Sequence, residues 1–302
     1  MSERFKITSV YIMICLIWGT TWFAIKAGLD SFPPFFSASM RFAVASVVFA
    51  LIIYIRKYPV PMSKTSIKFY LFMGICSYVI PFGMIYWAEQ VIPSGLASVI
   101  FTIYPFAVII FSRMMIRGFE IAPYKIFGMF VGLGGIVLIF AGTFKLELSK
   151  QLIGMTAAVL NAVIQAFVLV TIKKRGKDLH PVTMNFLPMV IGSIGLFIIA
   201  LFTENIHASK FTGVGIFTVF YLGVLGSVVT FTSYYWLLNK INILLLAVVS
   251  FITPVVALYT GWLLGNEKLD SHQMIGSIVA LAGVLFASLP EPRLLRKRLR
   301  KV

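Results

Sequence analysis

The feature that most constrains this chain is an apolar pattern that occurs twice, 149 residues apart. The first copy reads GICSYVIPFGMIYWAEQVI…TIYP from Gly74 to Pro105, and the second GVLGSVVTFTSYYWLLNKI…FITP from Gly223 to Pro254. Without a gap, Gly74 falls on Gly223, Val79 on Val228, Phe82 on Phe231 and Tyr86-Trp87 on Tyr235-Trp236. The match runs on through Ile92 and Ile241, Val99 and Val248, Ile103 and Ile252, to Pro105 and Pro254. One residue of slippage later, Gly128, Val131, Leu133 and Gly135 meet Gly276, Val279, Leu281 and Gly283. A duplicated apolar bundle is above all the architecture of a membrane transporter.

A chain that is 60% hydrophobic and 12% charged, with a mean hydropathy of +0.97, is not an ordinary soluble domain. A helix needs about 20 apolar residues to cross a bilayer. Ten segments qualify, roughly 7–27, 35–55, 67–89, 95–116, 124–143, 152–172, 181–202, 213–238, 243–264 and 272–289. The expectation is therefore an all-α polytopic membrane protein with short connections. Cys15 and Cys76 fall inside apolar helices, so no disulfide framework is implied. The first segment holds Trp18, Gly19 and Trp22 and lacks a small-residue cleavage site, so it reads as a retained helix.

The formal charge of +16 invites a nucleic-acid reading, but its distribution rejects one. Threaded through ten spans, 20 basic residues fall on one side, among them Arg4, Lys6, Arg56, Lys57, Lys173, Lys174, Arg175, Lys177 and the six from Arg293 to Lys301. The other side receives five, Lys26, Lys145, Lys150, Lys210 and Lys268, and Arg41 lies within a span. Positive charge stays inside, so both termini are expected in the cytoplasm of a cell (inner or plasma) membrane. An even number of spans demands the same. The basic tail serves as a topology anchor and, in addition, suits contact with anionic lipid.

Five spans per half is an odd number, so the second half must enter the membrane from the opposite face. Residues 1–147 and 148–302 are thus expected to form two inverted five-helix repeats, joined near Lys145 to Gln151, with a substrate site at the midplane between them.

Several stretches resemble the EamA-type, ten-helix branch of the drug/metabolite transporter superfamily. They are WGTTWFAIK (Trp18 to Lys26), the second span with Arg41, YWAEQVIPSGLASVIFTIYPF (Tyr86 to Phe106) and GMFVGLGGIVLIFAG (Gly128 to Gly142). ITPVVALYTGWLLGNEKL (Ile252 to Leu269) repeats the pattern more loosely. The resemblance covers essentially the whole chain. It implies a carrier of small metabolites such as amino acids, nucleobases or amphipathic compounds, often outward. It also implies that helices 5 and 10 are peripheral while the others surround a central cavity.

Placed by depth, Trp18, Tyr78 and Tyr104 lie near midplane, as do Asn161 and Gln165, which share one helical face. Amides facing lipid are costly, so that face should look inward, either to substrate or to another helix. With Trp87, these are the expected cavity contacts. Pro105 and Pro254 occupy the same place in the two copies and each frees a carbonyl, so both are read as bends that shape the cavity or as packing kinks. Arg41, about six residues into its span, is expected to pair with Glu89, to bind a substrate carboxylate or to reach the interface. Lys26, Arg41 and Glu89 are accordingly read as a charged cluster at the outer mouth that closes the site or attracts an anion. Glu89 is the only acidic residue within a predicted span, and its place near a helix end favours facilitated diffusion or exchange over a deep proton relay.

Small-residue stripes on helices 5 (Gly128, Gly132, Gly135) and 10 (Gly276, Ala280, Gly283) read as a packing face or a homodimer face. His180, His207 and His272 lie at loops or helix ends, and no HExxH, phosphate loop or metal cluster is present, so neither an enzyme nor a cofactor is expected. The expected function is a secondary transporter for an amino acid or similar amphipathic solute, exporting by alternating access. The competing class is a channel or lipid scramblase on the same bundle.

Overall fold

Local chemistry marks where several helices start. Side chains of Ser63, Thr212 and Asn242 accept hydrogen bonds from backbone N–H groups one turn on, and Pro34 and Pro181 occupy first helical positions where no N–H is needed. Ends are marked too: Lys57 closes the second helix in a left-handed conformation at φ 52°.

The computed structural model describes residues 2–140, 148–175, 180–265 and 271–289. Lys145, Lys177, Lys268, the basic stretch from Arg293 to Lys301 and the division expected at 147/148 lie outside or at the edge of these residues. Ten helices follow one another: α1 Glu3–Leu29, α2 Pro34–Arg56, α3 Lys64–Val91, α4 Ser94–Met115, α5 Pro123–Phe140, α6 Leu148–Arg175, α7 Pro181–Thr203, α8 Gly213–Leu238, α9 (Ile243–Ala247 with Val249–Gly265) and α10 Ser271–Ser288. Eight are long and apolar enough to cross a membrane, and α5 and α10, at 18 residues each, rise about 27 Å. Among the described residues there is no strand. The chain is a multi-pass, all-helical membrane protein.

The outer surface agrees. Leu51, Ile110, Phe127, Phe217 and Leu285 are each more than half exposed, a load of apolar surface that only lipid covers favourably.

Packing follows the sequence repeat. α2 packs on α7 and α5 on α10, each against its own counterpart. Counterparts α1 and α6 exchange roles: α1 packs on α8 and α9, while α6 packs on α3 and α4. The α5–α10 contact consumes both glycine stripes. A Cβ added to Gly135 would stand 2.3 Å from the Ala280 backbone nitrogen, and one on Gly276 would stand 2.7 Å from the Gly135 carbonyl. The stripes therefore serve packing within one chain, not a face left open for a second copy.

Four helices depart from α geometry, α3 and α8 at related places and α4 and α9 ahead of their prolines. Gly74–Val79 in α3 and Val224–Val229 in α8 are π-helical, at positions that differ by one residue from perfect correspondence. Such turns loosen the backbone ladder and are enriched at functional sites. α4 tightens to a 3-10 turn at Phe101–Ile103 just before Pro105, and α9 is interrupted at Val248, six residues before Pro254. Irregular backbone thus lies within one turn of Pro105, whereas Pro254 sits inside regular helix almost two turns past the break.

At the α1–α2 end, Glu204 follows α7 and its two carboxylate oxygens accept from Phe35 N and Phe36 N at 2.7 and 2.9 Å, capping α2. Burial pushes this carboxyl above the ordinary carboxylate range, and the two N–H bonds act against that push.

Candidate substrate cavity

A cavity of about 120 Å³ lies in the middle of the bundle. Seven helices line it: α1, α2, α3, α4, α6, α8 and α9. α5 and α10 do not, because they are spent on each other, and α7 offers no lining side chain among the described residues. The lining repeats with the sequence. Phe82 and Phe231, Ile85 and Tyr234, Phe101 and Ser250, and Tyr104 and Thr253 all line it, each pair 149 residues apart.

Eight of the 21 lining residues are aromatic. Trp18 packs on Tyr234 and Phe231 with ring centroids 4.9 and 5.5 Å apart. Trp22 meets Phe101 at 5.8 Å, and Phe101 stacks on Tyr104 at 5.2 Å. Tyr104 and Tyr234 join their hydroxyls at 2.9 Å, which closes the wall between α4 and α8.

Among the polar lining residues, three carry an amide or a charge. Asn161 is 4% exposed and its Oδ1 has no hydrogen-bond partner. Gln165, one turn along the same face, donates from Nε2 to the Ser77 carbonyl at 3.3 Å. Arg41 is 2% exposed and does not reach the interface. Its Nε donates to Ser227 Oγ and its Nη2 to the Gly226 carbonyl, both at 2.9 Å, while Nη1 stands 3.5 Å from Tyr86 Oη. The guanidinium also lies 4.8 Å from the Phe82 ring centroid.

Ser77 and Gly226 are themselves 149 residues apart and both lie in the π-helical turns. One looser turn is thus held by an amide from α6, the other by a guanidinium from α2. Arg41 has no charged counterpart, since Val190 takes its place in the second copy.

The structure brings Trp18, Arg41, Tyr104, Asn161 and Gln165 to one cavity. It separates Tyr78 and Trp87 from them. Tyr78 is fully buried behind the wall, donating to Asn185 Oδ1 at 2.6 Å and packing on Phe42. Trp87 opens onto another, wider groove at the α1–α2 end, with Met84, Gln90 and Glu204. The reason is helical phase: Ile85 and Tyr86 turn inward, which sends Trp87 away. Lys26 and Glu89 lie side by side, but Lys26 Nζ donates to the Glu89 backbone carbonyl at 2.5 Å, not to its carboxyl. Neither carboxyl oxygen of Glu89 has a partner, and Arg41 bonds to α8 instead. Phe101, Phe231, Tyr234 and Ser250 are lining residues that sequence depth did not single out. The repeat carried the signal for two of them, since Phe231 is the counterpart of Phe82 and Tyr234 of Ile85.

The sequence pattern of the EamA-like transporter family matches residues 6–141 and again 152–289. The chain belongs to that family. It is 25% identical over 280 residues to the "Uncharacterized transporter YoaV" of Bacillus subtilis, covering 92% of this chain and 95% of the relative. It is 26% identical over 282 residues to "Protein PagO" of Salmonella typhimurium, covering 93% and 92%. It is likewise 26% identical over 279 residues to the "Uncharacterized inner membrane transporter YedA" of Escherichia coli K12, covering 91% and 88%. A solved structure titled "Crystal structure of protein" matches with a TM-score of 0.79 at 20% identity, covering 97% of this chain and 98% of that one. As a member of the EamA-like transporter family, the protein is a membrane transporter and not an enzyme.

Proposed function

We propose that this EamA-like protein is a secondary carrier that exports a small amphipathic metabolite, an amino acid or a solute of similar character, by alternating access. The cytoplasm holds both termini, and two inverted five-helix halves rock about the cavity. The observation that carries the reading is the cavity's lining: aromatic walls, one unengaged amide oxygen at Asn161 and one buried guanidinium at Arg41. A guanidinium has five N–H donors, and three partners are in place here, which leaves capacity for an acidic group on the solute. The paired lining positions and the loosened turns at Ser77 and Gly226 support two halves that exchange conformations.

Counterflow into proteoliposomes, with a labelled panel of amino acids, nucleobases and sugars, is the test. Accumulation of one class is expected. Ion currents or lipid flipping without counterflow would replace the carrier by a channel or scramblase.

A second prediction concerns Asn161. Because Oδ1 is unengaged, Asn161→Leu removes an unsatisfied buried acceptor and should leave the melting temperature in detergent unchanged or raised. Counterflow of the accepted solute should fall about tenfold, the loss of one hydrogen bond of roughly 1.4 kcal/mol. A lower melting temperature with normal counterflow would make Asn161 a packing residue.

A further inference from the structure

Among the described acidic residues, Glu89 is set apart by its surroundings. It sits in the last turn of α3, is 0% exposed, and neither carboxyl oxygen has a hydrogen-bond partner. One turn before it, Ile85 lines the cavity and Tyr86 faces Arg41. The charged groups whose fields reach the carboxyl are Lys26 from α1 and Arg41 from α2. α6, packed along this end of α3, has no titratable residue between Gln151 and Val170, and the Ser94–Ile100 segment of α4 has none. The π-helical turn of α3 brings only Cys76 and Tyr78, the latter turned to Asn185.

Two facts about this corner are hard to reconcile with a charged carboxylate. An ionised carboxylate without hydrogen bonds in an enclosed site costs several kcal/mol. More tellingly, the ammonium beside it has bonded to the backbone carbonyl of the same residue and left both carboxyl oxygens bare. A full negative charge would outcompete a carbonyl for that ammonium, since charge-assisted hydrogen bonds are about twice as strong as neutral ones. A neutral acid, with one unpaired O–H and one unpaired carbonyl, leaves a far smaller cost here than an unpaired carboxylate.

We propose that Glu89 is the proton-binding site of this carrier, and that the arrangement described here is its proton-loaded form. Loss of the proton breaks the carboxyl O–H bond and passes the proton to water on the side then open. Lys26 Nζ leaves the Glu89 backbone carbonyl and pairs with the new carboxylate. Because that bond ties α1 to α3 beside the cavity rim, the switch connects proton binding to the geometry of the site. This inference rests on the carrier reading above, and it replaces the facilitated-diffusion mode that Glu89's place near a helix end suggests.

The test has two arms. In the first the probe is the proton itself: infrared difference spectra of the purified protein between neutral and alkaline pH. A protonated-carboxyl carbonyl band at neutral pH is expected in the unaltered protein and in Glu204→Gln, and is expected to vanish in Glu89→Gln. In the second, proteoliposomes loaded with a pH-sensitive dye are given the same labelled panel under an imposed pH gradient. Gradient-driven accumulation, with proton flux, should fall at least tenfold in Glu89→Gln, while exchange without a gradient persists. That persistence shows that the variant is folded. Absence of the band, its survival in Glu89→Gln, or gradient drive retained in that variant would each overturn the proposal. Counterflow in the unaltered protein without any effect of pH also overturns it and leaves the carrier standing. No counterflow at all sinks the carrier, and the coupling with it.

Discussion

Gly283→Val is expected to prevent stable assembly of the bundle, lowering the detergent melting point sharply or abolishing a monodisperse peak on size exclusion. A Cβ at Gly283 would fall 2.2 Å from the Gly132 backbone nitrogen and 2.6 Å from both the Gly128 carbonyl oxygen and Gly132 Cα. These neighbours are main chain, so no rotamer change relieves the clash and the two helices must move apart. In lipid, helix association depends on close packing, because hydrocarbon solvates apolar side chains as well as a neighbouring helix does. A gap of even 0.5–1 Å forfeits roughly a quarter to a half of each lost contact along the seam. Overpacking typically costs about 1–3 kcal/mol, and this site belongs at or above the upper end. Gly134→Ala is the control: it lies on the partner helix α5, and nothing stands within 4 Å of its added Cβ. Equal melting points for the two variants would show that α5 and α10 do not depend on this contact.

How much of this was legible beforehand divides along physical lines. Helix number, the paired prolines and the glycine seam were visible because each is written in local composition: apolar length, a missing N–H, an absent Cβ. The cavity was half visible. Trp18, Tyr104, Asn161 and Gln165 carry polar or aromatic groups at midplane depth, and depth can be counted along a sequence. Helical phase cannot be counted as well, since a π-helical turn adds rotation that the sequence does not announce. That applies to Tyr78, which lies in the π-helical turn; Trp87, two residues past Ile85 on the regular part of α3, is turned off the cavity by ordinary helical phase. The partners of Arg41 and Lys26 were out of reach for a different reason. Both charged side chains bond to backbone carbonyls, at Gly226 and Glu89, and a carbonyl has no signature in the sequence.

Arg41 carries the second large effect. Arg41→Ala and Arg41→Lys should both reduce counterflow of an acid-bearing solute by tenfold to a hundredfold, roughly 1.4–3 kcal/mol. Lysine is not a rescue here. Its single ammonium cannot engage Ser227 Oγ, the Gly226 carbonyl and the Tyr86 hydroxyl at once, whereas the planar guanidinium reaches all three from one position. The two variants should part in stability. Alanine removes the guanidinium donor from the Gly226 carbonyl, which Thr230 Oγ1 also reaches, and empties space beside Phe82, lowering stability by about 1–3 kcal/mol. Lysine keeps a charge and most of the volume, so its melting point should lie between alanine's and the unaltered protein's. A solute of the same shape without an acidic group separates the two roles of Arg41. If the guanidinium grips substrate, that solute loses little in either variant; if it only holds the loosened turn of α8, both solutes lose equally. Unchanged counterflow of both in Arg41→Ala would remove Arg41 from transport altogether and leave Asn161 as the polar contact of the cavity.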